Sequence, residues 1–272
     1  MTVAAFLPPR LLRHVQFILG REHPPLVAES WDELEDLIRD QPVSVAIIDP
    51  STDGAAGTEK IEEILADYPS IPVIAYVTVT APAFRAVAEL SRAGLKHVIL
   101  YSFDDSPERF LGVLDTVWAS PLTVQLLAAF RPSLNRLPVS LMRTVEDMFA
   151  EPHRYVSAPD IATSAKIPLV RLYRAVRAAG VASPKKLLVA AKLLRAYGYL
   201  ADPGQSVRGV SKKLGYRHTR ILVDHTFEVF GFTPSRLRDH MTEDQVVARL
   251  VIWMNSADAK GEPATEAATA IG

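Results

Sequence analysis

The chain has 272 residues, 49% of them hydrophobic, and a formal net charge of -1, which is more than one typical domain holds and enough apolar material for two cores. It contains no cysteine, which excludes disulfides, thiolate metal sites and cysteine nucleophiles. No apolar run approaches the roughly 18 residues of a membrane span, and the stretch after Met1 lacks the basic leader and small-residue cleavage site of a signal peptide, so a cytoplasmic protein off the membrane is expected.

The first half alternates strand-like and helix-like segments. "TVAAFL" reads as a first strand, "RLLRHVQFILGR" as a helix, "PPLVAES" as a second strand and "WDELEDLIRD" as a helix. The β-branched runs "VSVAIID" and "IPVIAYVTV" resemble strands buried on both faces, and "GTEKIEEILADYP" between them has helical spacing at Ile61, Ile64 and Leu65. A helix "APAFRAVAELSRAG", a strand "KHVILY" and a closing helix "SPERFLGVLDTVWAS" complete the pattern. The expectation is an α/β doubly wound domain over residues 1–118 with a five-stranded sheet.

From Pro121 the strand-like runs stop. Residues 119–137 read as a linker helix interrupted at Pro132 and Pro138, which would break a continuous helix. An all-α domain is expected over 138–241, followed by a C-terminal helix and a small, polar, disordered tail from about Met254. The charge divides the same way: residues 1–137 carry 11 Lys/Arg against 18 Asp/Glu, and residues 138–240 carry 17 against 8. Such asymmetry suggests that the second segment meets a polyanion, although solvated helix faces would give the same counts.

Within the basic segment, "SVRGVSKKLGYRHTR" (206–220) has Val207, Val210 and Leu214 on one helical face, a small Ser211 where two helices would cross and Gly215 to permit a turn. Arg217, His218, Thr219 and Arg220 then fall on the first turn of a following helix, the part that reaches base edges in helix-turn-helix proteins, with Leu222, Thr226 and Phe230 anchoring its inner side. About 50 residues earlier "SAPDIATSAKIPLVRLYRAV" repeats the logic, with Ile161, Ala162 and Ile167 inward and Arg171 and Arg174 outward. Between them "SPKKLLVAAKLLRAYGYL" predicts a rigid helix of about 26 Å, of the order of the roughly 34 Å between successive major grooves.

The stretches "SPKKLL", "KLLRA", "SVRGVSKKLGY" and "FGFTPSRLR" resemble the DNA-binding domain of AraC/XylS-type transcription regulators over roughly Leu137 to Met241. The resemblance implies a tandem helix-turn-helix domain that binds a promoter sequence. Arg174 keeps the basic position this family uses, whereas Asp224 stands where the second unit usually carries a base. Leu222 and Thr226 replace inner aromatic residues, with Phe227 one place late, and Val181 takes the place of the glycine that usually closes the first unit.

Residues 3–118 resemble, more loosely, a response-regulator receiver domain, through "VSVAIIDP", "IPVIAY" and "AGLKHVILYSF". The resemblance puts Asp49 at the strand end where receivers accept phosphate. The chemistry that phosphorylation needs is missing: "AAFLPP" supplies no acidic pair for Mg²⁺, Tyr101 and Ser102 replace the family's lysine and proline, and Val77 stands at the switch hydroxyl position with Thr78 adjacent. A degenerate receiver-like domain, not phosphorylated and used for homodimerisation or for sensing a partner or small-molecule effector, is expected.

The whole therefore reads as a sequence-specific regulator of transcription on double-stranded DNA, with Arg171, Arg174, Arg217, His218, Thr219 and Arg220 as its contacts. No catalytic residue, cofactor or metal is expected. His218 and His225, seven apart, read as helix-surface residues rather than ligands. "STDGAAG" reads as a surface turn and Tyr197 and Tyr199 as core packing. The alternatives are a protein-interaction adaptor with decayed DNA binding, favoured by Asp224 and Glu228, and a response regulator phosphorylated on Asp49.

Overall fold

The computed structural model describes residues 1–21, 23–118 and 120–256. Five strands, β1 (Val3–Phe6), β2 (Leu26–Val27), β3 (Val45–Ile48), β4 (Val73–Val77) and β5 (His97–Leu100), form one all-parallel sheet in the order β2-β1-β3-β4-β5. Parallel neighbours need crossover connections, which α1 (Pro9–Leu19), α2 (Trp31–Asp40), α3 (Gly54–Asp67) and α4 (Ala81–Ala93) supply, with α5 (Pro107–Trp118) after the last strand.

Strand alternation sorts the side chains between two layers. Ala4, Phe6, Ala46, Ile48, Val73 and Ala75 share a core with Leu34 and Ile38 of α2 and Ile61 and Ile64 of α3. Val3, Ala5, Val45, Ile47, Ile74 and Tyr76 pack instead with Leu11 and Val15 of α1 and Phe110 and Leu114 of α5. Capping fixes the helix entries: Ser30 accepts from the Glu33 amide at 3.1 Å, while Glu33 takes the Glu29 amide at 2.7 Å. Two segments differ from expectation. The second strand keeps only two paired residues at the sheet edge, and α3 begins three residues before the expected Gly57, because Asp53 and Gly54 turn the chain through positive φ.

The described residues from Pro121 on are helical: α6 (Pro121–Leu134), α7 (Val139–Ala150), a 3₁₀ turn (Pro152–Arg154), α8 (Ala158–Ser164), α9 (Leu169–Ala178), α10 (Pro184–Leu200), α11 (Val207–Lys213), α12 (Thr219–Phe230), α13 (Pro234–His240) and α14 (Glu243–Asn255). The expected interruption at Pro132 does not occur. Pro132 lies within α6, which continues to Leu134. Buried Leu126, Phe130 and Leu134 hold that last turn in place, against the single hydrogen bond the proline removes. Pro138 does separate α6 from α7, as the latter's N-cap. The expected tail lies largely outside the described residues. Among those described, no single helix is long and apolar enough to cross a membrane.

Helix α10 is the axis of the helical part, touching α7, α8, α9, α11, α12, α13 and α14. The α/β layer docks on its far end, sharing one continuous apolar core with the helices and adding polar contacts. Asp202, only 1% exposed, accepts hydrogen bonds from the Ser70 amide at 2.8 Å and the Ser70 hydroxyl at 2.5 Å. The Gly204 amide donates to the Asp67 carbonyl at 2.9 Å, and Lys212 pairs with Asp40 of α2 at 3.3 Å.

Behind this contact Lys213 is buried, with its ammonium over the Tyr199 ring at 4.5 Å and no hydrogen-bond partner among the described residues. Burial pushes its pKa down to about 7, against the pull of Asp202, and Arg195 lowers it further. The folded chain therefore binds fewer protons than the unfolded chain between about pH 7 and the ordinary lysine value of 10.5. Stability rises with pH across that window and is lost as pH falls toward 7. Lys213→Met should be more stable than wild type at pH 7, by about 1–3 kcal/mol for the unsatisfied donor it removes. Urea denaturation between pH 7 and 10 should show a flatter dependence in the variant, and equal slopes in both proteins would refute this account.

Candidate nucleic-acid interface

Two helix pairs, α8 with α9 and α11 with α12, are built alike. In the first, Ala165 N donates to Ile161 O at 2.9 Å, Lys166 N to Thr163 O at 3.1 Å and Ile167 N to Ala162 O at 3.0 Å. In the second, 49 residues on, Leu214 N donates to Val210 O at 3.1 Å, Gly215 N to Lys212 O at 3.0 Å and Tyr216 N to Ser211 O at 3.0 Å. The turn is the same bond for bond. It requires a left-handed residue, which the second pair supplies as Gly215 at φ +68° and the first as Lys166 at φ +54°.

The inner faces are as expected. Ile161, Ala162, Val210, Ser211, Leu214, Leu222, Thr226 and Phe230 are buried, and Ile167 and Val207 partly so. Leu172 and Val176 anchor α9 in the same way. By the count from each helix start Val181, which is buried, stands opposite Gly231, as expected; the left-handed glycine that ends the first unit is Gly180 at φ +86°, one step earlier than Gly231 at φ +79° in the second. Tyr197 and Tyr199 are buried as core residues, Tyr197 donating to the Met241 carbonyl at 2.9 Å.

The structure brings Arg171 and Arg174 onto the exposed face of α9 and Arg220 onto the first turn of α12, with Thr219 half-buried; Arg217 and His218 are exposed but, unlike the expectation, stand ahead of that turn, His218 as the N-cap. Arg177 and Tyr173 share the α9 face. The spacing of Arg171, Arg174 and Arg177 at steps of three was the signal for the former. Neither reading helix has a side-chain N-cap, at Pro168 or His218, so first-turn amides remain available to an anion.

Counting from each helix start, Arg171, Tyr173 and Arg174 of α9 correspond to Ile221, Val223 and Asp224 of α12. Asp224 lies 3.7 Å from Arg220 in an exposed ion pair, a weak interaction that nonetheless cancels charge. Phe227, 61% exposed, stands where α9 has Arg177. His225 packs edge-on to Tyr216, and burial holds its pKa below the usual imidazole value. The basic segment is also less basic outside than its composition suggests. Lys186, Lys192 and Lys213 are buried: Lys186 donates to the Trp253 and Ser256 carbonyls, and Lys192 lies over the Tyr216 ring, its pKa pushed down to about 8 by burial.

In the α/β layer, Asp49 follows β3 and is 3% exposed. Its Oδ1 accepts from the Ser51 amide at 2.8 Å and hydroxyl at 2.6 Å. The end of β1 leads to Leu7 and Pro8, with no acid to hold Mg²⁺ beside it. Among the described residues, no cluster of three or more metal-ligating side chains occurs. No family model, no curated protein and no solved structure matches the chain.

Because the left-handed conformation costs a non-glycine residue about 1–2 kcal/mol, Lys166→Gly should stabilise the chain by up to about 1 kcal/mol after the entropy of glycine is counted. Gly215→Ala should destabilise it by a similar amount. Chemical denaturation of the two variants checks both signs. Incubation with acetyl phosphate and Mg²⁺ should leave Asp49 unlabelled in intact-mass and peptide spectra.

Proposed function

We propose that the chain is a sequence-specific DNA-binding regulator of transcription, with α9 and α12 as its two reading helices. The observation that carries this is the pair of helix-turn-helix units with identical turns, each presenting exposed bases at the start of its second helix. The likeness of residues 137–241 to AraC/XylS-type regulators supports the same reading. Arg171, Arg174 and Arg217 attract phosphates and address base edges. The receiver-like layer gathers protomers or senses an effector; exposed Phe84 and Phe103 give it an apolar surface for association.

The protein-interaction reading has one observation of its own: α12 carries the Arg220–Asp224 pair and exposed Phe227 where a DNA reader would keep free cations. Electrophoretic shift of genomic fragments at two salt concentrations separates the readings. The regulator shifts a subset of fragments at low salt and loses affinity as salt rises, and no shift at low salt eliminates it. Arg171→Ala should weaken binding to a selected fragment by about 1–3 kcal/mol where that arginine pairs with guanine, or lower the salt slope by about one where it meets phosphate. Asp224→Asn should tighten binding by freeing Arg220.

A further inference from the structure

Beside the Ser70–Asp202 contact, a cleft of about 340 Å³ opens between the α/β layer and the helical part, within the roughly 300–1,000 Å³ usual for small-molecule sites, which favour such junctions. Pro69 and Pro72 wall it on the sheet side, Trp118 and Pro121 at the connection between α5 and α6. The third wall is α10, and there the chain is cut away. Gly198 lines the cleft, and a Cβ added to it would meet no atom within 4 Å.

One side chain supplies charge on that wall. Arg195 is half-buried, its guanidinium lies 4.8 Å from the Tyr199 ring centre, and it makes no ion pair among the described residues. Of the two carboxylates lining the cleft, Asp202 is held by both Ser70 donors, and its charge is shared between buried Lys213 and Arg195, which leaves the guanidinium part of its charge for a ligand. Glu243 is exposed in the first turn of α14, where it complements the helix N-terminus. A largely apolar cleft of this size with a cation at one side fits a small ring compound that carries an acidic group.

We propose that this cleft is a binding site for a small organic anion with an aromatic body, and that Arg195 is its counter-charge. The site deepens the sensing role assigned above to the receiver-like layer. Its occupancy is measured without DNA, so it stands or falls separately from the regulator reading.

The probes are 1-anilinonaphthalene-8-sulfonate and its uncharged counterpart N-phenyl-1-naphthylamine, titrated into the full chain at neutral pH. Both should give saturable, one-to-one fluorescence enhancement, with energy transfer from tryptophan that drops in Trp118→Phe. Arg195→Gln should weaken the sulfonate about tenfold, the loss of one charged hydrogen bond, and leave the amine within about twofold. Gly198→Leu, which fills the slot from a helical position, should abolish both, while Gly198→Ala should retain them. Circular dichroism confirms that each variant is folded. No saturable binding, binding that survives Gly198→Leu, or equal losses of both probes in Arg195→Gln would overturn the proposal. Electrophoretic shift with and without saturating sulfonate then tests the regulator reading: a probe that binds a chain unable to shift DNA sinks that reading and leaves the site intact.

Discussion

A helix that is buried on nearly every side can neither rotate nor slide without uncovering its own core, and α10 is such a helix: fourteen of its seventeen residues are buried. It packs against α7, α8 and α9 of the first unit and against α11, α12 and α13 of the second. Polar ties reinforce the packing where apolar contact alone would permit slippage. Lys186 reaches the carbonyls that end α14, Tyr197 reaches Met241, and Lys192 sits over Tyr216 in the second turn. On the proposed function, α9 and α12 are held by a common rigid helix about 26 Å long, set against a groove repeat of about 34 Å. A rigid spacer passes any mismatch with the groove repeat to the DNA, whose bending over a site of roughly 20–30 base pairs costs about 1–6 kcal/mol.

The same axis explains where the α/β layer docks. Its partners include the end of α10, the loop through Asp202 and Gly204, α11 and, after α7, Glu151, which pairs with the Met1 ammonium at 2.7 Å. The contact joins these polar ties to apolar burial, since the Tyr68 ring packs against Gly204 and buried residues of the layer and of the helices belong to one continuous core. It engages Lys212 on the first helix of the second unit through Asp40, so a change in the layer's position alters the charge that unit offers. The cleft lies against the same Ser70–Asp202 pair, which places any occupant at the joint between the two parts.

Most elements were legible because period and punctuation agree with packing. The α2 segment is predicted residue for residue, since Ser30 and Glu33 announce its start and Leu34 and Ile38 its buried stripe. Gly215 marks its turn because glycine is the usual left-handed residue, whereas Lys166 in the matching turn carries no such mark. Pro132 misleads because a propensity counts only the backbone bond, while three apolar neighbours held the turn closed. The buried lysines were invisible for a related reason: composition counts a charge wherever it stands, and the ammonium groups of Lys192 and Lys213 are kept inside by aromatic faces that only the fold assembles. Asp202 and Ser70, 132 residues apart, share no local pattern at all.

The two reading helices are not equivalent, and the difference has a chemical direction. Helix α9 presents Arg171, Tyr173 and Arg174, groups that seek phosphate and the acceptor edge of guanine. At the same steps α12 presents Ile221, Val223 and Asp224. Aliphatic side chains meet the methyl group of thymine, and a carboxylate accepts from the amino group of cytosine while repelling phosphate. On the proposed function, α9 therefore carries most of the salt-dependent attraction. The second unit adds discrimination more than affinity, leaning on Arg217 and His218 ahead of the helix for its hold on the backbone. One scaffold repeated with identical turns would then read two unlike half-sites, because the turn fixes where a side chain stands and leaves its chemistry free to diverge.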